Sequence, residues 1–133
     1  MSVGARVAEA ARGAIGVRFR LHGREVEDGL DCVGLVAVAL RGGGFEGMVP
    51  SGYAMRSGDA AHVTAAIAGL GLIPVEDACE GDVLLLRAGP GQLHLAIGLG
   101  DGIVHADAGL RRVVERPGMP PWPVVGRFRL GEE

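Results

Sequence analysis

The apolar positions change period at mid-chain. In the first half Val3, Val7, Ala10, Ala11 and Ala14 recur at helical spacing, with Arg6, Glu9 and Arg12 between them, which predicts a short amphipathic helix. The segment Cys32 to Leu40, "CVGLVAVAL", is apolar on every side and closes on Arg41 and Gly42-Gly43-Gly44, a strong stop. Periodicity alone does not separate a buried helix from a buried strand there. Asp31 as an N-cap and the alanine content favour helix. A third helix is expected from about Asp59 to Leu70, starting near Ser57 and stopping at Gly69 or Gly71.

The second half reads as strands: Asp82 to Arg87, Leu93 to Leu99, Gly102 to Asp107, Arg111 to Arg116 and Val124 to Leu130, all short and separated by Gly or Pro. Pro117 to Pro123 holds four of the seven prolines and is expected to be irregular. Helices first and an antiparallel meander second predict an α+β fold in a single domain over residues 1–133.

Composition narrows the function. With 133 residues and 48% apolar content, the chain is sized for one folded core. Thirteen basic against 16 acidic residues leave a net charge of −3, which argues against a nucleic-acid coat or an anionic-membrane binder. Every basic residue is Arg, which together with 24 Gly reads as coding bias. No apolar run is long enough to span a bilayer, and the charged N-terminal stretch does not read as a secretory leader. The chain is therefore expected to be cytoplasmic as synthesised, unless lysis or a dedicated machine releases it. In that compartment Cys32 and Cys79 are expected as free thiols.

The chemistry gathers at three positions. Cys32 sits one residue past the expected N-cap, where the positive helix end favours thiolate, and an adjacent imidazolium would lower its pKa further. The same helix end offers backbone N–H groups to an oxyanion. If Gly100-Asp101 forms a two-residue hairpin turn, Leu99 pairs with Gly102, Ala96 with His105 and His94 with Asp107. His94 and His105 then share a face as diagonal neighbours roughly 7–8 Å apart at Cα, beside the small Ala96 and Gly98. Leu95, Ile97 and Leu99 point the other way, to the core. A thiol, an imidazole to activate it and a second imidazole to orient the first form a nucleophile–base–orienter set.

"GLDCVGLV" around Cys32, followed by "GDVLLL" and "LHLAIGLGDGIVHAD", resembles the NlpC-type cell-wall peptidases, a papain-like cysteine peptidase family. That family carries an Asp-Cys-Ser-Gly-Leu-Val segment at a helix start, a His-Val-Gly-Ile-Tyr strand, and a third polar residue, often His, on the next strand. The likeness covers roughly residues 15 to 110. It implies a papain-like fold with Cys32 as nucleophile, His94 as general base and acid, and His105 orienting His94. It further implies that Asp31 helps bind the substrate peptide, that Val33 occupies the family's substrate-holding Ser position, and that no metal or organic cofactor is used; His22 is expected to line the cleft because its loop approaches Cys32 in sequence. The implied substrate is a peptidoglycan stem peptide, commonly cut between D-γ-glutamate and a diamino acid. Two departures bear on specificity: Val33 stands where the family has Ser, and Phe19, His22 and Arg24 stand where it often has an upstream Tyr. A minimal version of this domain also resembles those carried by phage tails or gene-transfer particles, which implies particle proteins as partners and a virion location.

Other signals carry less. Cys32, His94, His105 and Asp107 are zinc ligands by type but lack the close-spaced pairs of a structural site. "GGGFEG", Gly42 to Gly47, follows a helix rather than a strand, so the dinucleotide reading fails its context. Cys79 reads as incidental, His62 as a surface or interhelix residue, and Trp122 as a brace for a proline-rich loop. Two further functions stay open: a thiol amidase or acyltransferase on another amide or ester, and a non-catalytic tail-assembly component that keeps the fold.

Overall fold

Ser2 caps the first helix by accepting a hydrogen bond from the Ala5 N–H, and α1 runs Val3–Gly13 with Val3, Val7, Ala8 and Ala11 buried. The structure, a computed structural model, describes residues 1–49 and 59–131. After α1 the chain crosses a loop containing two short paired strands, β1 (Arg24–Glu25) and β2 (Gly29–Leu30). Asp31 then starts α2, Cys32–Gly42, by accepting from the Gly34 N–H at 2.8 Å. Seven of its residues are buried, from Val33 to Leu40, which settles the ambiguous apolar run as a core helix. It ends at the glycine run, where Gly44 takes a positive φ. The third helix, α3, is Ala60–Gly69, capped by Asp59; the expected start near Ser57 lies outside the described residues.

The second half forms β3 (Ile73–Pro74), β4 (Val83–Gly89), β5 (Gln92–Gly98), β6 (Gly102–Asp107), β7 (Arg112–Pro117) and β8 (Val124–Arg129). They make one antiparallel sheet in the order β3-β8-β4-β5-β6-β7. The expected meander holds from β4 to β7 and fails at β8. That strand pairs with β4 on the far side, because the segment after Pro117 carries the chain back across the sheet.

One sheet face packs on the helices. Val83, Leu85, Leu93, Leu95, Ile97 and Phe128 meet Val7, Leu35, Val36 and Leu40 in the main core. The alternate side chains, Leu84, Leu86, Ala96 and Ile103, form a second apolar cluster on the opposite face, and Trp122 from the returning segment covers it. Strand alternation thus sorts the same residues into two layers. At the sheet's far end the buried Asp82 accepts from Arg129 Nε at 2.8 Å and from the Cys79 N–H, pinning β8 and the turn before β4. Among the described residues no helix is long and apolar enough to cross a membrane.

Candidate active site

The first turn of α2 lies against the loop before it. A Cβ on Gly34 would collide with the Gly23 carbonyl, so only glycine lets the helix approach this closely. Asp31 ties the two together. Besides capping α2, its Oδ2 accepts from the His22 N–H at 2.8 Å, and its Oδ1 accepts from Arg24 Nη1 at 2.8 Å. His22 is held at φ 63°, a left-handed conformation that this hydrogen bond and the tight loop maintain.

The sheet supplies the second half of the site. β5 and β6 pair in the register expected from a Gly100-Asp101 turn: the Leu99 N–H donates to the Gly102 carbonyl, and Gly98 pairs with Ile103 and Ile97 with Val104. The ladder goes no further among the described residues. In a continued ladder the Leu95 N–H would donate to Ala106. Instead it lies close enough to the Cys32 sulfur to favour the thiolate. The expected pairings Ala96–His105 and His94–Asp107 are therefore not made as ladder pairs. The two imidazoles still meet across the gap, with His94 Nε2 2.9 Å from His105 Nδ1 and the rings edge to face at 5.1 Å.

Trp122 completes the cluster. Its ring stands edge to face with both imidazoles, 5.5 Å from His94 and 5.6 Å from His105. The face carrying Ala96 and the two histidines is thus roofed by an indole. Trp122 does brace its proline-rich loop, and it also packs on the site, a role its position among prolines did not signal. A cavity of about 570 Å³ opens here, lined by Cys32, His94, His105, Asp31, His22 and Val33 together with Arg24, Asp107 and Trp122. All six residues singled out from the sequence therefore share one cavity. Arg24, noted in the sequence only near the family's upstream Tyr, and Asp107, noted only as a zinc ligand by type, join them. Asp107 follows His105 by two residues on β6 and acts electrostatically on both imidazoles.

The electrostatics differ from expectation in one respect. Burial pushes the Cys32 thiol up to about 11; the Leu95 N–H pulls it down, the Asp31 carboxylate pushes it further up, and the Val33 and Cys32 N–H groups favour the thiolate. The anticipated lowering by the helix end is present but smaller than the desolvation. Burial likewise lowers His94 to about 4, with His105 adding to the shift and Asp107 opposing it. His105, 2% exposed, is lowered by burial, partly offset by Asp107. In the resting molecule the three groups are thus a thiol and two neutral imidazoles. No Cys32–His94 hydrogen bond is formed among the described residues. Cys79 and His62 are exposed and away from the cavity lining. No cluster of three or more potential metal ligands exists among the described residues.

Comparison with known proteins places the fold. No protein-family model matches the chain, and no curated protein does either. Solved structures do. NlpC1 from Trichomonas vaginalis superposes with a TM-score of 0.72 at 22% identity, covering 96% of this chain and 44% of that one. The peptidoglycan hydrolase RipB from Mycobacterium tuberculosis gives 0.63 at 24%, covering 98% and 66%. RipD from the same organism, a non-catalytic NlpC/p60 domain protein adapted to peptidoglycan binding, gives 0.62 at 19%, covering 98% of both chains. The chain spans less than half of the first of these and about two thirds of the second. The fold is the papain-like NlpC/p60 fold, with three helices and a six-stranded antiparallel sheet among the described residues.

Proposed function

We propose that this NlpC/p60-fold chain is a cysteine peptidase that hydrolyses peptidoglycan stem peptides, at the D-γ-glutamyl–diamino acid bond, through Cys32, His94 and His105. The observation that carries the reading is the convergence of a helix-end thiol and a hydrogen-bonded imidazole pair on one cavity. His94 spends Nε2 on His105, which leaves Nδ1 as the nitrogen available to the thiol. The productive tautomer has His94 Nε2–H donating to His105 Nδ1 and a bare Nδ1 lone pair as base. Substrate entry brings Cys32 and His94 together. The sulfhydryl proton passes to His94 Nδ1, sulfur attacks the scissile carbonyl carbon, and the oxyanion accepts from the Cys32 N–H at the helix end. His94 returns the proton to the leaving amine, and water then hydrolyses the thioester by the same route. His105 holds the imidazole, while Asp31, His22 and Val33 shape the substrate side.

The test is turnover of purified muropeptides, followed by mass spectrometry. Cleavage by the unmodified chain is expected to fall at least 10³-fold in Cys32→Ala and to a similar extent in His94→Ala, with folding retained. Cleavage that survives Cys32→Ala would sink the proposal, and a panel of other amides and esters separates it from a thiol amidase or acyltransferase. A binding role without turnover has its own support: the thiol is protonated, it lacks a hydrogen bond to His94, and RipD shares the fold without catalysis. Muropeptide binding without cleavage would favour that role.

A further inference from the structure

We infer that Arg18, Arg20, Arg112 and Arg116 form a surface beside the cavity that binds a phosphodiester polymer of the cell wall. The choice of a wall polymer rests on the peptidoglycan reading of the cavity; the anion-binding surface stands on geometry alone.

Three observations carry it. The first is a like-charge pair at close quarters. The Val113 N–H donates to the Val17 carbonyl and the Phe19 N–H to the Arg111 carbonyl, which makes Arg18 and Arg112 a non-hydrogen-bonded antiparallel pair. That is the closest cross-strand spacing, about 4.5 Å between Cα atoms, with both side chains on one face. Like charges so placed repel unless an anion lies between them. Guarding an edge strand does not account for the pair, because one charge suffices for that and residues 16–19 already cover this stretch of β7. The second observation is the room made for another arginine. Gly29 takes φ 118°, and a Cβ there would stand 2.8 Å from Arg20 Cβ and 3.2 Å from Arg18 Cγ. Arg18 and Arg20 therefore run side by side over one glycine. Arg116, four residues beyond Arg112 on β7, continues the row on the same face.

The third observation is that these charges are unspent. All four residues are exposed, and none enters an ion pair among the described residues. Arg18 gives only its Nε, to the Asp28 carbonyl at 2.9 Å. Asp107, opposite Arg112 on β6, turns Oδ1 to the Leu110 N–H at 3.0 Å. Guanidinium forks take phosphate oxygens bidentately, so a row of them along a strand suits a chain of phosphates. Phe19, the aromatic side chain between Arg18 and Arg20, packs toward the core, which leaves this row without the stacking platform of a single-stranded nucleic-acid site. The net charge of −3 confines the attraction to this face. Phe19 and Leu21, alternating with the two arginines, line the cavity, so a polymer held here keeps the cavity beside the wall.

Binding of poly(glycerol phosphate) to the unmodified chain is measured calorimetrically over a range of salt concentrations. Affinity is expected to fall with salt at a log–log slope of about −3, as for four neutralised phosphates on a flexible strand. Arg20→Gln/Arg112→Gln removes two side chains that make no hydrogen bond among the described residues. It is expected to weaken binding by about tenfold or more and to reduce the slope by roughly half. Arg6→Gln/Arg41→Gln removes the same charge elsewhere on the surface and is expected to bind as the parent does. Arg112→Gln alone relieves the repulsion and is expected to unfold at no lower temperature than the parent at low salt, so that lost binding is not lost fold. No binding by the unmodified chain, equal weakening by the two double variants, earlier unfolding of Arg112→Gln, or single-stranded RNA bound as tightly as the polymer would overturn the inference. Turnover of soluble muropeptides is expected to be unchanged in Arg20→Gln/Arg112→Gln. Failure of the peptidase reading looks different: no turnover by any of these proteins, with the polymer still bound.

Discussion

At Cys32 two effects of opposite sign meet on one atom. The helix end and the Leu95 N–H favour thiolate, burial disfavours it, and burial wins, leaving the thiol near 11. At pH 7 about one molecule in 10⁴ then carries the thiolate. Iodoacetamide is expected to label Cys32 in the ligand-free protein much more slowly than the exposed Cys79, with a rate that climbs steadily above pH 8. Rapid labelling of Cys32 below pH 7 would show a preformed thiolate–imidazolium pair and refute this ordering. His94 gives the complementary prediction. Its folded value of about 4 lies below the usual 6.5, so the unfolded chain binds more protons between those values. The stability it contributes is full above pH 6.5 and is lost as pH falls toward 4, amounting to at most about 3 kcal/mol. Urea unfolding at pH 7 and pH 4.5 is expected to show a stability loss that shrinks in His94→Gln. A variant as pH-sensitive as the parent would exclude His94 as the source.

At the scale of elements, the start of α2 and the parting of β5 from β6 build the site. Asp31→Ala removes an N-cap and leaves Arg24 without its anion, so a loss of about 2 kcal/mol is expected in denaturant titrations. Asp31→Asn keeps the cap and is expected to lose less. Gly34→Ala forces α2 away from Gly23 and is expected to destabilise the chain while weakening peptide binding, since it displaces the loop that carries Arg24. The hairpin register was legible in the sequence, because Gly100-Asp101 and strict alternation leave one pairing that buries Leu95 and Ile97. The end of the ladder was not legible. Whether the Leu95 N–H meets a strand or approaches the Cys32 sulfur depends on where α2 docks, and the two residues are more than sixty apart in sequence.

Across the whole molecule, the returning segment closes the structure. Trp122 reaches the histidine pair only because β8 crosses to the far side of β4, and Arg129 on β8 then neutralises the fully buried Asp82. Arg129→Leu leaves that carboxylate buried with the weaker, 3.9 Å contact from Arg127 as its nearest cation, and a cost of about 3 kcal/mol is expected in thermal or urea unfolding. Loss of less than 1 kcal/mol would mean that Asp82 becomes protonated or hydrated instead. Trp122→Ala strips the roof from Leu84, Leu86 and Ala96 as well as from both imidazoles, so it is expected to reduce stability and muropeptide turnover together.

Local pattern by itself determined much: the helix at Cys32 with Asp31 as its cap, the strands of the second half, the hairpin register, and the common face of His94 and His105. Each follows from periodicity, capping or turn chemistry, which act over a few residues. The tertiary structure alone decided where β8 pairs, that Trp122 covers the imidazoles, that Arg24 lines the cavity while paired with Asp31, and that the thiol is protonated at rest. These depend on burial and on contacts between distant segments, and desolvation is set by what finally surrounds a group rather than by its sequence neighbours.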